Sequence, residues 1–200
     1  MKLTQIRRTY RRMAPIYDPL FRRFYRRFRM ESIAALHLQP SDTILLVGAG
    51  TGLDVPFLPS GSRTIAIDVT PAMLKRAAVT RPRGVDFILA DGVALPLRDA
   101  SVSAVILHLV LSVAPDPAAL LSEAARVVRV DGRVAVLDHF APASRLSLAR
   151  RLLARVPCLL GTHVDRRFED LAGEKYFEVL QDRLLAGGAY RALTLGRRSD

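Results

Sequence analysis

ILLVGAGTGLD, residues 44–54, begins as an apolar run typical of a buried strand and then places glycines at positions 48, 50 and 52. A strand that ends in glycines and leads into a helix presents bare backbone to a ligand at the edge of an open α/β sheet. A dinucleotide fingerprint would need another glycine at the position of Leu53. The turn therefore predicts a cofactor other than a dinucleotide.

Two acidic residues lie at the ends of the next two predicted strands. Asp68 ends TIAID, 20 residues after Gly48, where a carboxylate can accept hydrogen bonds from both hydroxyls of a ribose. Asp91 follows the third strand, where it can accept from an adenine amino group while the amide of Gly92 faces a ring nitrogen. Together the three strand ends predict a nucleoside ligand without a pyrophosphate.

These residues also have structural explanations. Glycines at a strand end can simply form a tight turn, and Asp68 can cap the next helix. Thr70, directly before Pro71, is better placed for that cap. His108 lies in an apolar run, which fits a buried histidine as well as a catalytic one, and His139 is compatible with a solvent-facing position.

Strand-like and helix-like runs alternate along the chain, which is the pattern of a parallel sheet wound by helices. Half of the 200 residues are apolar, enough for one domain, 1–200, with residues 1–38 preceding a core at 39–200. The final two strands are joined through AGG and predict a hairpin. The predicted strands are 43–47, 64–68, 85–89, 102–107, 133–138, 176–184 and 189–195, and the predicted helices are 54–58, 71–79, 117–129 and 144–156.

Cysteine content and apolar runs indicate a cytoplasmic protein. The single cysteine, Cys158, cannot form an internal disulfide, and the N-terminus lacks the apolar core of a secretion signal. The most apolar run, 104–113, is far shorter than the ~20 residues that span a bilayer. We therefore expect no transmembrane helix.

The net charge of +11 is concentrated in residues 1–30, which hold ten Lys/Arg and one acid. Two consecutive basic amphipathic stretches occur here, and a third lies at 144–156. A helix of this kind suits a bilayer interface, where its aromatic rings would lie among the acyl chains and its arginines would contact anionic headgroups. The alternative is a stripe that packs on the domain below a solvated basic face. The predicted membrane-binding residues are Phe21, Phe24, Tyr25 and Phe28 on one helical face, with Arg22, Arg23, Arg26 and Arg27 on the others.

Successive motifs make the sequence resemble the class I S-adenosylmethionine-dependent methyltransferases from Tyr10 to Gly196. They are VGAGTG, AIDVTPAMLKRA and ADGVALPLRDAS with the stretch that follows. More narrowly, YDPLF and SVAPDPAALLSEAARVVR are similar to ubiquinone/menaquinone methyltransferases and bacterial phospholipid N-methyltransferases. The resemblance implies an α/β, Rossmann-like sheet, mostly parallel with a C-terminal antiparallel hairpin, helices on both faces and basic amphipathic helices at the N-terminus.

The resemblance also implies S-adenosylmethionine as cofactor, S-adenosylhomocysteine as product, and the residues that hold them. Two departures from the family are Leu46 and Ser103, each at a position where an acid is often found. Asp54, past the glycines, would compensate for the first. The implied cofactor-binding residues are Tyr17, Gly48, Ala49, Gly50, Gly52, Asp68, Val69, Met73, Asp91, Gly92 and His108, and the candidate catalytic residues are Tyr17, His108, Asp138 and His139.

Three functions remain compatible with these features. The first is methylation of the amine of phosphatidylethanolamine and its methylated derivatives by an enzyme bound peripherally to the inner face of the membrane. The second is C-methylation of a quinone precursor. The third, an RNA-binding protein or RNA methyltransferase, is disfavoured because no separate RNA module is visible and the aromatic residues form one stripe. The expected partners are a lipid substrate and an anionic membrane surface, with no metal and no obligate protein partner.

Overall fold

The computed structural model describes residues 3–79, 82–140, 166–171 and 173–198, with the side chains at 3, 5, 12–21, 173 and 174 outside that description. Cys158 and the helix expected at 144–156 also lie outside the described residues. Within the described part, no helix combines the length and the apolar character needed to cross a bilayer.

One seven-stranded sheet organises the chain. Its strands are β1 Thr43–Val47, β2 Arg63–Asp68, β3 Val85–Leu89, β4 Val102–His108, β5 Val128–Asp138, β6 Phe177–Leu185 and β7 Tyr190–Arg197. The order across the sheet is β3-β2-β1-β4-β5-β7-β6. The first five strands pair in parallel, whereas β7 pairs antiparallel with both β5 and β6. The predicted α/β sheet with a terminal antiparallel hairpin is confirmed.

Helices cover both faces of the sheet. They are α1 Leu3–Ala34, α2 Pro71–Val79, α3 Pro117–Val127 and α4 Gly173–Tyr176, with 3-10 turns at Val55–Phe57, Glu169–Leu171 and Ala186–Gly188. Leu45 and Val47 pack in the core on the α3 side, and Ile44 and Leu46 pack with Ile33 of α1 on the other. Because alternate residues of a strand point to opposite faces, a strand covered on both sides is apolar at every position, as ILLV is.

The expected helix at 54–58 is only the 3-10 turn Val55–Phe57. Pro56 removes a backbone donor, and the side chain of Asp54 is bonded to two distant residues. The glycine turn is therefore not followed by an α-helix. The other predicted elements in the described residues match the structure to within two residues at each end, except that β5 begins at Val128, five residues before its predicted start.

The N-terminal region is one continuous helix, not two consecutive ones. α1 runs for 32 residues and includes Pro15 and Pro19. Each proline removes one helical hydrogen bond. Residues before and after the two prolines are buried, since Ile6 is 6% exposed and Tyr25 is 5% exposed. Packing of both ends on the domain therefore compensates for the lost bonds.

Part of the predicted aromatic stripe on α1 packs on the sheet. The Tyr25 hydroxyl lies 2.5 Å from that of Tyr190 on β7, and Phe28 packs on the same cluster. Burial and then the bond to Tyr190 raise the pKa of Tyr25 far above its ordinary value. Phe24 is 52% exposed, and the side chain of Phe21 is outside the described residues. Tyr25 is therefore inside the protein, which corrects its placement on a membrane-facing stripe.

The two tyrosines should be coupled energetically if α1 is docked on β7 in this way. In urea unfolding, Tyr25→Phe and Tyr190→Phe should each lower the free energy of unfolding by about 1 kcal/mol, because each removes the bond between the hydroxyls. The double variant should cost less than the sum, with a coupling of ~0.5–1.5 kcal/mol. Tyr176→Phe, on α4, is the control that should not couple to Tyr25→Phe. If the free-energy changes of Tyr25→Phe and Tyr190→Phe add without a coupling energy, the docking of α1 on β7 is contradicted.

Candidate active site

A cleft opens at the carboxyl ends of β1, β2 and β4, between the glycine turn and α1. It contains about 860 Å³ of empty space, including the part open to solvent. The predicted cofactor-binding residues that line it are Gly48, Ala49, Gly50, Asp68, Val69, Met73, Asp91, Gly92 and His108. Helix α1 adds three residues that the sequence did not indicate, Ile6, Tyr10 and Arg29. The cleft is therefore closed on one side by the N-terminal helix.

Two of the predicted cofactor residues are not described as part of this cleft. Gly52 faces α2, since a Cβ there would lie 3.2 Å from the Cβ of Ala77, and its φ of +80° explains the glycine. Tyr17 lies within α1, but its side chain is outside the described residues. Its role as a cap over the cofactor stays a prediction.

Gly48 and Gly50, the first two glycines of the turn, differ in what a side chain at each position would meet. Gly48 and Gly50 have φ of +69° and +56°, a region that other residues rarely adopt. A Cβ on Gly48 would approach Cγ2 of Val110 to 2.7 Å, whereas a Cβ on Gly50 would meet nothing closer than 3.9 Å. The space beside Gly50 is open for a ligand to approach the backbone.

Asp68 links this turn to the end of β2. Its Oδ2 accepts from the amide of Gly50 at 2.9 Å, and its Oδ1 accepts from the amide of Thr70 at 2.7 Å. Burial raises the pKa of Asp68, and the backbone hydrogen bonds act against that rise. The hydroxyl of Thr70 and the amide of Val69 also bond the Asp68 carboxyl group, and its contact with the ribose stays a prediction. Asp68 thus both positions the turn and lines the cleft.

At the adenine end of the predicted site, Asp91 and Gly92 follow β3. Oδ1 of Asp91 accepts from the amide of Val93 at 3.2 Å. A Cβ on Gly92 would lie 2.8 Å from Cγ1 of Val47, so close packing against β1 requires the glycine. The contact with adenine stays a prediction for both residues.

Asp54 lies in a buried network and is absent from the cleft lining. Its Oδ2 accepts from Nη1 of Arg29 at 2.5 Å, and its Oδ1 lies 2.7 Å from Nδ1 of His108. The other ring nitrogen of His108 lies 3.1 Å from the hydroxyl of Ser32. Burial would raise the pKa of Asp54, but the charge of Arg29 and the interactions with His108 outweigh it and hold the pKa well below its usual value. Asp54 holds Arg29 and His108, which both line the cleft, and its compensation for the acid missing at position 46 stays a prediction.

The remaining candidate catalytic residues lie at the end of β5. Asp138 is fully buried and its oxygens accept from the amides of Ser112 and His139 at 3.0 and 2.7 Å. The ring of His139 lies 3.9 Å from that of Tyr190, and burial lowers its pKa. A neutral imidazole carries a lone pair that can accept a proton. Asp138 stabilises the turn after β5 through these bonds, and neither residue is among those that line the cleft in the described part of the chain, so their catalytic roles stay predictions.

Comparison with known proteins connects this cleft to one chemistry. A family model described as a methyltransferase domain matches residues 45–136. The phosphatidylethanolamine N-methyltransferase of Cereibacter sphaeroides is 30% identical over 205 residues, which cover 99% of this chain and 100% of that protein. The chain belongs to the S-adenosylmethionine-dependent methyltransferases.

Two further methyltransferases show how far the similarity extends. The demethylmenaquinone methyltransferase of Mycobacterium sp. (strain KMS) is 36% identical over 124 residues, 62% of this chain and 51% of that protein. The geranyl diphosphate C-methyltransferase of Streptomyces coelicolor A3(2), solved with Mg²⁺, geranyl-S-thiolodiphosphate and S-adenosyl-L-homocysteine, has a TM-score of 0.72 at 13% identity, covering 88% of this chain and 77% of that one. The structural likeness establishes the class I fold.

The cleft of this methyltransferase fits S-adenosylmethionine, the methyl donor of the family. Gly50 leaves its backbone accessible, and Asp68 and Asp91 lie at adjacent strand ends, as a nucleoside requires. When bound, the cofactor supplies an electrophilic methyl group. The assignment of each residue to a part of the cofactor stays a prediction.

Replacing Asp68 tests that assignment directly. Asp68→Ala should weaken S-adenosylhomocysteine binding about ten- to a hundredfold, because charge-assisted hydrogen bonds worth ~1.5–3 kcal/mol are lost. Calorimetry on the folded variant measures the change, and Asp86→Ala, an exposed carboxylate on β3, is the matched control. Wild-type affinity in Asp68→Ala would remove Asp68 from the ligand site.

Proposed function

We propose that this methyltransferase transfers methyl groups to the amine of phosphatidylethanolamine and its methylated derivatives at the inner, cytoplasmic face of a membrane. The observation that carries the proposal is the position of α1. Its residues Ile6, Tyr10 and Arg29 line the cofactor cleft, while other residues of the same helix form an exposed cationic surface. The similarity to the Cereibacter enzyme over the full length of both chains supports the same acceptor.

The cationic surface consists of Arg22, Arg23, Arg26 and Arg27, all exposed. The guanidinium of Arg26 lies 5.8 Å from the centre of the Phe57 ring, and Nε of Arg27 donates to Glu31 at 2.7 Å. Phe24 is 52% exposed on the same helix. Arginines would contact anionic headgroups while Phe24 adds apolar contact, so an anionic membrane surface is the partner that this helix suits.

An aromatic cluster adjoins the cleft where the acceptor would enter. Leu109 lines the cleft and also packs on the cluster of Tyr25, Phe28 and Tyr190. Ring faces attract alkylated ammonium groups, and apolar rings suit the region below a lipid headgroup. We infer that the acceptor amine lies beside Leu109.

The protein must align the two reactants, exclude water and remove one proton from the amine. With S-adenosylmethionine bound, the cleft would align the amine with the methyl group, whose bond to sulfur breaks as S-adenosylhomocysteine leaves. Holding both reactants in one cleft would supply much of the rate enhancement. A protonated amine must first lose a proton, and we assign its acceptance to His139, whose ring lies 3.9 Å from that of Tyr190 in the aromatic cluster. His108 is bonded to Asp54 and Ser32, so we assign it a positioning role between α1 and the cleft.

C-methylation of a quinone precursor is the second candidate, supported by the similarity to the demethylmenaquinone methyltransferase over 62% of this chain. Incubation with methyl-labelled S-adenosylmethionine separates the two. One reaction contains vesicles of phosphatidylethanolamine and an anionic phospholipid, and the other contains the same vesicles with a demethylated quinone. Label in the headgroup supports the proposal, label only in the quinone supports the second candidate, and label in neither overturns both.

Reversing the charge of α1 should separate membrane attachment from cofactor binding. Glutamate at 22, 23, 26 and 27 should abolish flotation with anionic vesicles, because each basic residue near an anionic leaflet contributes ~1 kcal/mol and this attraction decays within a Debye length of ~8 Å. The affinity for S-adenosylhomocysteine should stay within about threefold of wild type, since none of these side chains lines the cleft.

The matched control reverses four exposed arginines at or shortly before the amino ends of β2, β3, β4 and β5, which are Arg63, Arg83, Arg98 and Arg129. It changes the net charge equally and should still float. Flotation of the α1 variant would show that this helix is not the anchor. Binding of wild type to RNA but never to vesicles would favour the RNA-directed function.

A further inference from the structure

The connection between β6 and β7 presents an apolar surface to solvent. Residues 184–189, LLAGGA, contain no charged side chain, and we call this segment the hairpin tip. Its exposed residues are Leu184, which is 67% exposed, Ala186, Gly187 and Ala189. A contiguous apolar segment at the surface is a candidate contact site for a protein or a membrane.

The hairpin tip lies at the same edge of the sheet as the cofactor cleft. Asp138, the last residue of β5, pairs with Arg191 of β7, so the tip extends past the carboxyl ends of the parallel strands. The backbone of Ala189 hydrogen-bonds to the side chain of His139, and Leu185 packs on the aromatic cluster. The tip therefore borders the place where the acceptor would enter.

Two contacts join the hairpin tip to the cationic surface of α1. The carboxylate of Glu31 lies 2.7 Å from Nε of Arg27 and 3.1 Å from Nη2 of Arg183, the residue directly before the tip. The ring of Phe24, which is 52% exposed, lies 6.0 Å from the ring of Tyr190, the residue directly after the tip. The apolar tip and the basic helix are consequently parts of one continuous surface.

An anionic bilayer fits both parts of this surface. Arginines attract anionic headgroups, and exposed apolar side chains enter the boundary between headgroups and acyl chains. We propose that the hairpin tip inserts into the membrane as a second anchor beside α1. This orientation brings the aromatic cluster to the depth of the headgroups. The inference rests on the membrane location in the proposed function but not on the identity of the acceptor.

A single tryptophan tests the insertion, because the chain contains none. With vesicles of phosphatidylethanolamine and an anionic phospholipid, the emission of Leu184→Trp should shift to shorter wavelength, and lipids brominated on the acyl chains should quench it. Val130→Trp, at a 54% exposed position near the start of β5, is the matched control and should show neither change.

The outcomes separate this inference from the proposed function. An unshifted and unquenched Leu184→Trp on protein that floats would overturn the insertion and leave the proposed function standing. A shifted and quenched Leu184→Trp without label in the headgroup would keep the insertion and reject the acceptor. Failure of wild type to float would overturn both. A shift without vesicles that grows with protein concentration would show that a second copy covers the tip and would overturn the insertion.

A charge in the hairpin tip should weaken membrane binding. Ala186 has a φ of +48°, a conformation that aspartate and asparagine tolerate better than most residues. Ala186→Asp should reduce partition into the same vesicles about ten- to a hundredfold, because a carboxylate resists transfer out of water and is repelled by anionic headgroups. Ala186→Asn should lose less, and Val130→Asp should match wild type.

Affinity for S-adenosylhomocysteine checks that the variants are folded. It should match wild type in Ala186→Asp, Ala186→Asn and Val130→Asp, since neither position lines the cleft. Wild-type partition of folded Ala186→Asp would contradict the insertion of the tip.

Discussion

The ion pair between Arg29 and Asp54 joins the N-terminal helix to the segment that follows the glycine turn, and both side chains are almost fully buried. Burying two charges costs several kcal/mol per ion, which their attraction only about repays. Removing one partner alone would leave an uncompensated buried charge, at a cost of about 3–5 kcal/mol. Here it selects one position of α1 over others, because any sliding of the helix would leave a charge in the core without a partner.

His108 extends the same constraint into the sheet. Its ring lies between Asp54 and Ser32, so the end of β4, the segment that follows the glycine turn and α1 are held in one arrangement. On the other side of the turn, Asp68 accepts from the amide of Gly50 and ties the loop to β2. Two carboxylates with opposite pKa shifts therefore fix the loop, one by pairing with a cation and the other by accepting backbone bonds.

Helix α1 has buried residues on one side and exposed arginines on another. Ile6, Tyr25 and Arg29 are buried, and the arginines at 22, 23, 26 and 27 are exposed. The cationic surface and one wall of the cleft consequently belong to the same rigid element. A surface that attracts the helix would bring the cleft to that surface, which is the physical basis for linking a membrane acceptor to this cofactor site.

Local patterns in the sequence determined the strands, their parallel winding, the glycine turn and the acids at the ends of β2 and β3. These features depend on residues close in the chain, and the carboxyl ends of parallel strands necessarily meet at one edge of the sheet. Two predictions from local patterns were wrong. The expected helix after the glycines is a 3-10 turn, because a proline lies in that short segment. The two expected N-terminal helices are one, because α1 packs on the domain at both ends and stays continuous through its prolines.

Only the tertiary structure decided which residues of α1 face inward and what they meet. Tyr25 pairs with a tyrosine 165 residues away, and Ser32 with a histidine 76 residues away. An aromatic and basic helix has the same periodicity whether its rings contact lipid or a β-strand. Which of these the rings contact depends on the surface formed by β7 and by the segment that follows the glycine turn. That surface exists only once the sheet has formed.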